Sequence, residues 1–260
     1  MATIQCTREG AIARVVISNP ARRNAMTMSM WLSLAQTVRD LDADLTVRAI
    51  VLQGDGDRAF VSGADISEFQ TNRSDPAGVQ RYDRAVAQAQ DALATCGTPT
   101  IAFITGVCYG GGLGLAISCD LRYASTEARF CMPAARLGLG YARAGLKHFV
   151  DVLGAARSKE LFLTARVFDG AEAARIGLVH QAFDPAVLCE QVERQVAAIA
   201  AHAPLTLRAV KLGVRDLLAD PAAQDSAAVD LAVQQCFESN DYREGRQAFL
   251  EKRPPRFTSN

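Results

Sequence analysis

Through the first two-thirds of the chain, short runs rich in aliphatic and β-branched residues alternate with longer stretches of helical spacing, and that alternation admits few folds. The runs lie at residues 12–17, 49–53, 100–104, 121–123 and 178–183, each of strand length. Between them, residues 30–41 follow Thr27 and Ser29 as candidate N-caps. Residues 82–95 follow a loop expected around Asp75-Pro76-Ala77-Gly78. Strands that alternate with helices predict an α/β protein. From Asp184 onward the pattern becomes Ala, Leu, Val and Gln at helical spacing, with no further strand. Helix starts are expected at Asp184-Pro185, Ala203-Pro204 and Asp220-Pro221, because the missing proline N–H would be unpaired in a first turn anyway. The expected organisation is therefore a core over residues 1–183 and a helical C-terminal region over residues 184–260.

Composition narrows the partners. Lys plus Arg and Asp plus Glu both number 28, so no global field favours nucleic acid or an anionic membrane surface. Residues 101–117 form the longest apolar stretch, but Thr105 and five glycines interrupt it. It falls short of the run of roughly 18 apolar residues that a membrane span needs. Residues 1–9 carry neither a basic region nor an apolar one, which predicts a cytoplasmic protein. Seven scattered cysteines, without a C-x-x-C pair, suit a reducing compartment, and the three histidines are far apart; no metal site is assigned.

Two glycine-bearing loops carry the chemistry. The first is Arg58-Ala59-Phe60-Val61-Ser62-Gly63-Ala64-Asp65-Ile66, where Gly63 lets the following N–H groups turn toward a ligand and Asp65 is the simplest helix cap. The second is Thr105-Gly106-Val107-Cys108-Tyr109-Gly110-Gly111-Gly112-Leu113-Gly114, a strand exit entering an apolar helix. Without β-carbons a substrate can approach its backbone, and the unpaired N–H groups of a helix N-terminus favour a developing negative charge. The loop is neither a dinucleotide fingerprint nor a P-loop. Together the loops are expected to aim the N–H groups of Ala64 and Gly111 at one carbonyl oxygen, an arrangement in which a single donor is worth about 3 kcal/mol.

Several segments, in their order along the chain, resemble the enoyl-CoA hydratase/isomerase (crotonase) family. They are Asn19-Pro20-Ala21-Arg22-Arg23-Asn24-Ala25, the loop from Phe60 to Ile66, the stretch from Gly106 to Ala116 with Cys119-Asp120, and Ala171-Glu172-Ala173 with Gly177-Leu178-Val179. The ending from Ser239 through Gly245, Phe249, Lys252-Arg253 and Phe257 resembles it too, so the likeness covers nearly the whole chain. The resemblance implies a spiral of ββα units with a helical C-terminal region, assembled as a trimer or a dimer of trimers. It also implies a coenzyme A thioester as substrate, with no permanently bound cofactor. The thioester carbonyl would sit between Ala64 and Gly111, near Asp65, Ile66, Gly110, Pro133 and Ala134. Arg22, Arg23 and Lys252 would meet the coenzyme A phosphates.

The chain departs from the family's hydratases at two places. Those enzymes carry a glutamate three residues after the middle glycine, where Gly114 stands here, and a second directly after a proline, where Pro133 is followed by Ala134. Water addition needs one group to take a proton and another to deliver one, and neither residue can do either. Tyr141 and Arg143 are the candidate replacements, the first as a hydroxyl donor or acceptor and the second as a clamp for a substrate carboxylate. Glu68 and Cys108 are weaker candidates. Three readings follow: an enolate-stabilising acyl-CoA lyase or isomerase, an atypical hydratase, and a catalytically silent acyl-CoA binding subunit. Within the first, decarboxylation of a malonyl-type thioester needs no protein base at carbon, and Leu137-Gly138-Leu139-Gly140-Tyr141 resembles a loop of methylmalonyl-CoA decarboxylase.

Overall fold

The structure, a computed structural model, describes residues 2–68 and 75–258. Strands β1 (Thr3–Glu9) and β2 (Ile12–Ser18) form an antiparallel hairpin, followed by helix α1 (Met28–Ala43). A ββα unit then occurs three times. The units are β3 (Ala49–Gly54), β4 (Ala59–Val61) and α2 (Pro76–Thr95); β5 (Thr100–Ile104), β6 (Val107–Tyr109) and α3 (Gly111–Ser118); and β7 (Leu121–Ser125), β8 (Arg129–Cys131) and α4 (Arg143–Thr164). The chain closes this part with β9 (Phe168–Asp169), α5 (Gly170–Arg175) and β10 (Gln181–Phe183).

In each unit the first strand joins one sheet and the second joins the other. The larger sheet runs β1-β2-β3-β5-β7-β10 and the smaller runs β4-β6-β8-β9. Connections of two to four residues carry the chain directly from one sheet to the other, and it winds as a spiral. Beyond the first hairpin the larger sheet is parallel, with Ile12 opposite Ala49, Ile50 opposite Thr100 and Ile101 opposite Leu121. A parallel sheet is covered on both faces, which is why β3 and β5 read as unbroken apolar runs.

Helices pack by the expected spacing. Trp31, Leu34, Ala35 and Val38 form the buried stripe of α1, while α3 is buried almost all round. The helical region begins with α6 (Pro185–Ala200), whose Leu188, Val192 and Val196 lie on Ala49, Val51, Ile101 and Tyr123 of the larger sheet. It continues with α7 (Pro204–Leu217), α8 (Ser226–Glu238) and α9 (Asn240–Glu251).

Several boundaries differ from the sequence reading. The expected loop at residues 75–78 is the first turn of α2: the Asp75 side chain accepts from Gly78 N at 2.7 Å and Pro76 opens the helix. The strand expected at 178–183 covers only Gln181–Phe183. Arg122 Nε takes the Leu178 carbonyl at 2.7 Å, and Val179 N donates back to Ala173 O, so pairing with β7 starts only when His180 N reaches Arg122 O. Pro221 opens a single 3-10 turn, and the helix proper starts at Ser226 behind Asp225 as its cap. Strand β1 was not foreseen, because an exposed edge strand carries mostly polar residues.

Two polar knots tie α7 to the spiral. Asp120 accepts from Thr100 N at 2.7 Å and from Lys211 Nζ. Asp42 accepts from Gly97 N at 3.0 Å and Thr98 N at 2.8 Å, and pairs with Arg208 at 3.1 Å. Burial opposes the charge on Asp42, but those two N–H groups and Arg208 outweigh it and hold the carboxyl below its ordinary range. A depressed folded-state value contributes stability that is present above the unfolded carboxylate range and lost as pH falls through the folded value. Asp42→Asn is therefore expected to lower the urea midpoint near neutral pH. It should also flatten the acid-side decline from about pH 5 downward, as read by circular dichroism.

Candidate functional site

The site grows from a backbone clamp. Met26 forms an isolated parallel bridge with Ala64: Met26 N donates to Gly63 O at 2.8 Å, and Asp65 N donates to Met26 O at 2.9 Å. In a parallel bridge the central residue's own N–H and carbonyl face away from the partner, so the Ala64 N–H is turned from Met26 toward the opposite side. Gly63 sits at φ +119, a conformation that a side chain resists, and this lets the loop make the turn.

The second half of the site is the start of α3. Gly110, at φ +51, donates its N–H to Cys131 O at 2.9 Å and caps the helix. Gly111 is the first helical residue, whose N–H has no intrahelical acceptor. A β-carbon at Gly112 would fall 2.3 Å from Val61 O, so its absence lets the helix start lie directly against β4. That contact brings the loops together: a methyl group built on Gly111 would sit 3.9 Å from Ala64 N.

Buried side chains hold both halves. Trp31 lies under Gly111, its ring 3.0 Å from where a β-carbon would be, and its Nε1 donates to Tyr82 Oη at 3.0 Å. Tyr82 Oη in turn donates to Met26 O at 3.3 Å, the carbonyl that also anchors Asp65. Neither aromatic residue was singled out by the sequence reading. Their helical spacing marks them only as core, and the hydrogen bond between them links residues 51 positions apart.

A cavity of about 460 Å³ opens beside the clamp. Ala64, Asp65, Ile66, Gly110, Gly111, Pro133, Ala134 and Tyr141 line it, together with the exposed Arg22. Arg23, Arg143 and Lys252 are exposed and do not line it. Arg143 stands at the first residue of α4, and Lys252 at the left-handed C-cap of α9.

A sequence model described as Enoyl-CoA hydratase/isomerase matches residues 7–260. The chain belongs to the enoyl-CoA hydratase/isomerase family. The crotonyl-CoA hydratase of Syntrophomonas wolfei is 32% identical over 253 residues, covering 97% of this chain and 96% of that one. The short-chain-enoyl-CoA hydratase of Clostridium acetobutylicum is 29% identical, covering 95% and 94%. A crystal structure of an enoyl-CoA hydratase/carnithine racemase from Magnetospirillum magneticum superposes with a TM-score of 0.95. It is 36% identical and covers 100% of this chain and 97% of that one.

In this member of the enoyl-CoA hydratase/isomerase family the cavity is mostly apolar, with few titratable groups. Asp65 is buried and its Oδ1 accepts from Ser67 N at 3.0 Å and Ser67 Oγ at 2.6 Å. Burial opposes its charge, but the two Ser67 bonds, with Arg22 and Asn19, keep its carboxyl below the ordinary range, so it stays ionised as the cap of a 3-10 turn. Glu68 lies in that turn and accepts from Met28 N at 2.7 Å, fixing the start of α1. Cys108 is fully buried, and burial pushes its thiol well above the usual value, which leaves no thiolate nucleophile. Asp83, on the exposed side of α2, is a lining carboxylate that the sequence reading missed. Among the described residues no group of three or more His, Cys, Asp or Glu is placed to hold a metal ion. Nor is any described helix long and apolar enough to cross a membrane.

Tyr141 packs edge-on against Phe162, with ring centroids 4.9 Å apart, and against Phe149 at 6.1 Å. Burial pushes its phenol up to about 12, against a hydrogen bond from Gln90 that lowers it. At neutral pH Tyr141 is therefore a neutral donor rather than a base.

The Trp31–Tyr82–Met26 chain predicts a measurable stability cost. Tyr82→Phe leaves the buried Trp31 N–H without its acceptor and is expected to destabilise the protein by about 1–3 kcal/mol. A shift of the urea unfolding midpoint, with the slope unchanged, checks this.

Proposed function

We propose that this protein acts on acyl-CoA thioesters and stabilises their enolates, with the thioester oxygen accepting from the N–H groups of Ala64 and Gly111. The side-by-side placement of Ala64 and the helix-initiating Gly111 in the lining of an apolar cavity supports the reading. Fixed donors in a water-poor site are strongest where charge develops, and the loss of one typically costs about 10²–10³ in kcat. Arg22, exposed and in the cavity lining, is the candidate contact for the coenzyme A phosphates.

Position 114 is glycine and position 134 is alanine, so the pocket supplies no carboxylate from either place. Decarboxylation of a malonyl-type thioester fits such a pocket. The bond between Cα and the carboxylate carbon breaks, carbon dioxide leaves, and the electron pair moves into the enolate held by Ala64 and Gly111. Tyr141 then gives its proton to Cα and recovers one from water. A second reading is enoyl-CoA hydration, favoured by the crotonyl-CoA hydratase relative.

The chain is further proposed to assemble as a homotrimer or a dimer of trimers through its C-terminal helices. Phe249, Leu250 and Phe237 are 84%, 73% and 60% exposed there, an apolar surface that self-association would cover. Phe249→Glu is expected to reduce the mass measured by light scattering.

Mass-spectrometric assay against crotonyl-CoA, a 3-enoyl-CoA and methylmalonyl-CoA tests the catalytic reading, with Ala64→Pro as the variant lacking one donor. Loss of carbon dioxide from methylmalonyl-CoA, reduced about 10²–10³-fold in the variant, supports decarboxylation. Water addition to crotonyl-CoA supports hydration. Binding without turnover of any of the three overturns the enzymatic reading in favour of a silent binding subunit.

A further inference from the structure

Helix α3 leaves a gap at Gly114, and a side chain from another helix occupies it. A β-carbon at position 114 would fall 2.2 Å from Gln90 Nε2 and 3.1 Å from Tyr141 Oη. Gln90 comes from α2, is 5% exposed and lines the same cavity as Tyr141. Gln90 Nε2 and the Tyr141 hydroxyl thus lie side by side at this gap, where the amide N–H can donate to the Tyr141 oxygen. A hydroxyl that accepts in this way retains its own proton to give.

We propose that Gln90 is a positioning residue that holds the Tyr141 hydroxyl as a donor for an oxygen on carbon 3 of the acyl chain, and so selects 3-oxo, 3-hydroxy or malonyl-type thioesters. This rests on the acyl-CoA reading above. The geometry points to carbon 3 because Gly114 lies three residues beyond Gly111, on the same face of α3 and about 4.5 Å along its axis. A thioester oxygen at Gly111 places substituents of carbon 3 at that distance, opposite the Gln90–Tyr141 pair. The pair is uncharged and desolvated by packing, with Phe149 and Phe162 fixing the tyrosine ring. A ligand without the oxygen leaves two buried polar groups facing apolar chain, and that mismatch is the source of discrimination.

Acetoacetyl-CoA and butyryl-CoA differ only in the carbon-3 oxygen, and calorimetric titration of the full-length protein with each reads the preference directly. The wild type is expected to bind acetoacetyl-CoA at least about tenfold more tightly, and Gln90→Met to lower that ratio about fivefold or more. Gly114→Ala is an independent route to the same loss: it leaves both polar residues in place but drives the amide out of its position. It carries the test if Gln90→Met fails to fold. Because Gln90 acts through the hydroxyl, Gln90→Met in a Tyr141→Phe background is expected to remove no further preference, which a merely structural role would not produce. Equal affinity for the two thioesters in the wild type, or a ratio unchanged in folded Gln90→Met or Gly114→Ala, overturns this inference alone. Failure of the wild type to bind either thioester overturns the acyl-CoA reading itself.

Discussion

The bridge between Met26 and Ala64 is the constraint on which the site depends. Two hydrogen bonds from the residues flanking Ala64 leave its own N–H on the opposite side. A donor oriented by its own backbone ladder needs no reorganisation when charge appears, which is the property that makes backbone N–H groups effective at oxyanions. The Met26 carbonyl also accepts from Tyr82, and Tyr82 accepts from Trp31, which lies beneath Gly111. Movement of the Ala64 loop would break these buried bonds, and Gly111 rests on the Trp31 ring that the same bonds hold, so the core fixes the two loops relative to each other.

Missing side chains matter as much as present ones. Gly112 lets the start of α3 lie against Val61, and Gly114 makes room for Gln90 and Tyr141. The first absence brings the two loops together, and the second gives the pocket its neutral polar pair. The only lining carboxylates among the described residues are Asp65, bound by Ser67, and Asp83 on the exposed side of α2.

The C-terminal helices are joined to this core in two different ways. α6 is held mainly by apolar contact with the larger sheet, with one ion pair from Glu193 to Arg14 of β2, whereas α7 is held by Asp42–Arg208 and Asp120–Lys211. Apolar cover is insensitive to pH, while ion pairs depend on ionised carboxylates. Acid should therefore loosen α7 before it loosens α6.

Much of this was legible in the sequence. Alternating strand and helix periods set the α/β class, the apolar runs marked the buried parallel strands, and the glycines marked two loops that the fold brings side by side at the cavity, because those signals are local. The family likeness rested on such segments too. What only the tertiary structure decided are pairings across long separations. Trp31 meets Tyr82, Gln90 fills the gap at Gly114, and Asp83 reaches the cavity, while Arg143, Lys252 and Arg23 do not. The strands of two or three residues in the smaller sheet were equally invisible, since so short a run has no period to read. A sequence specifies which face a residue presents on its own element, but which other element meets that face is settled by the packing of the whole chain.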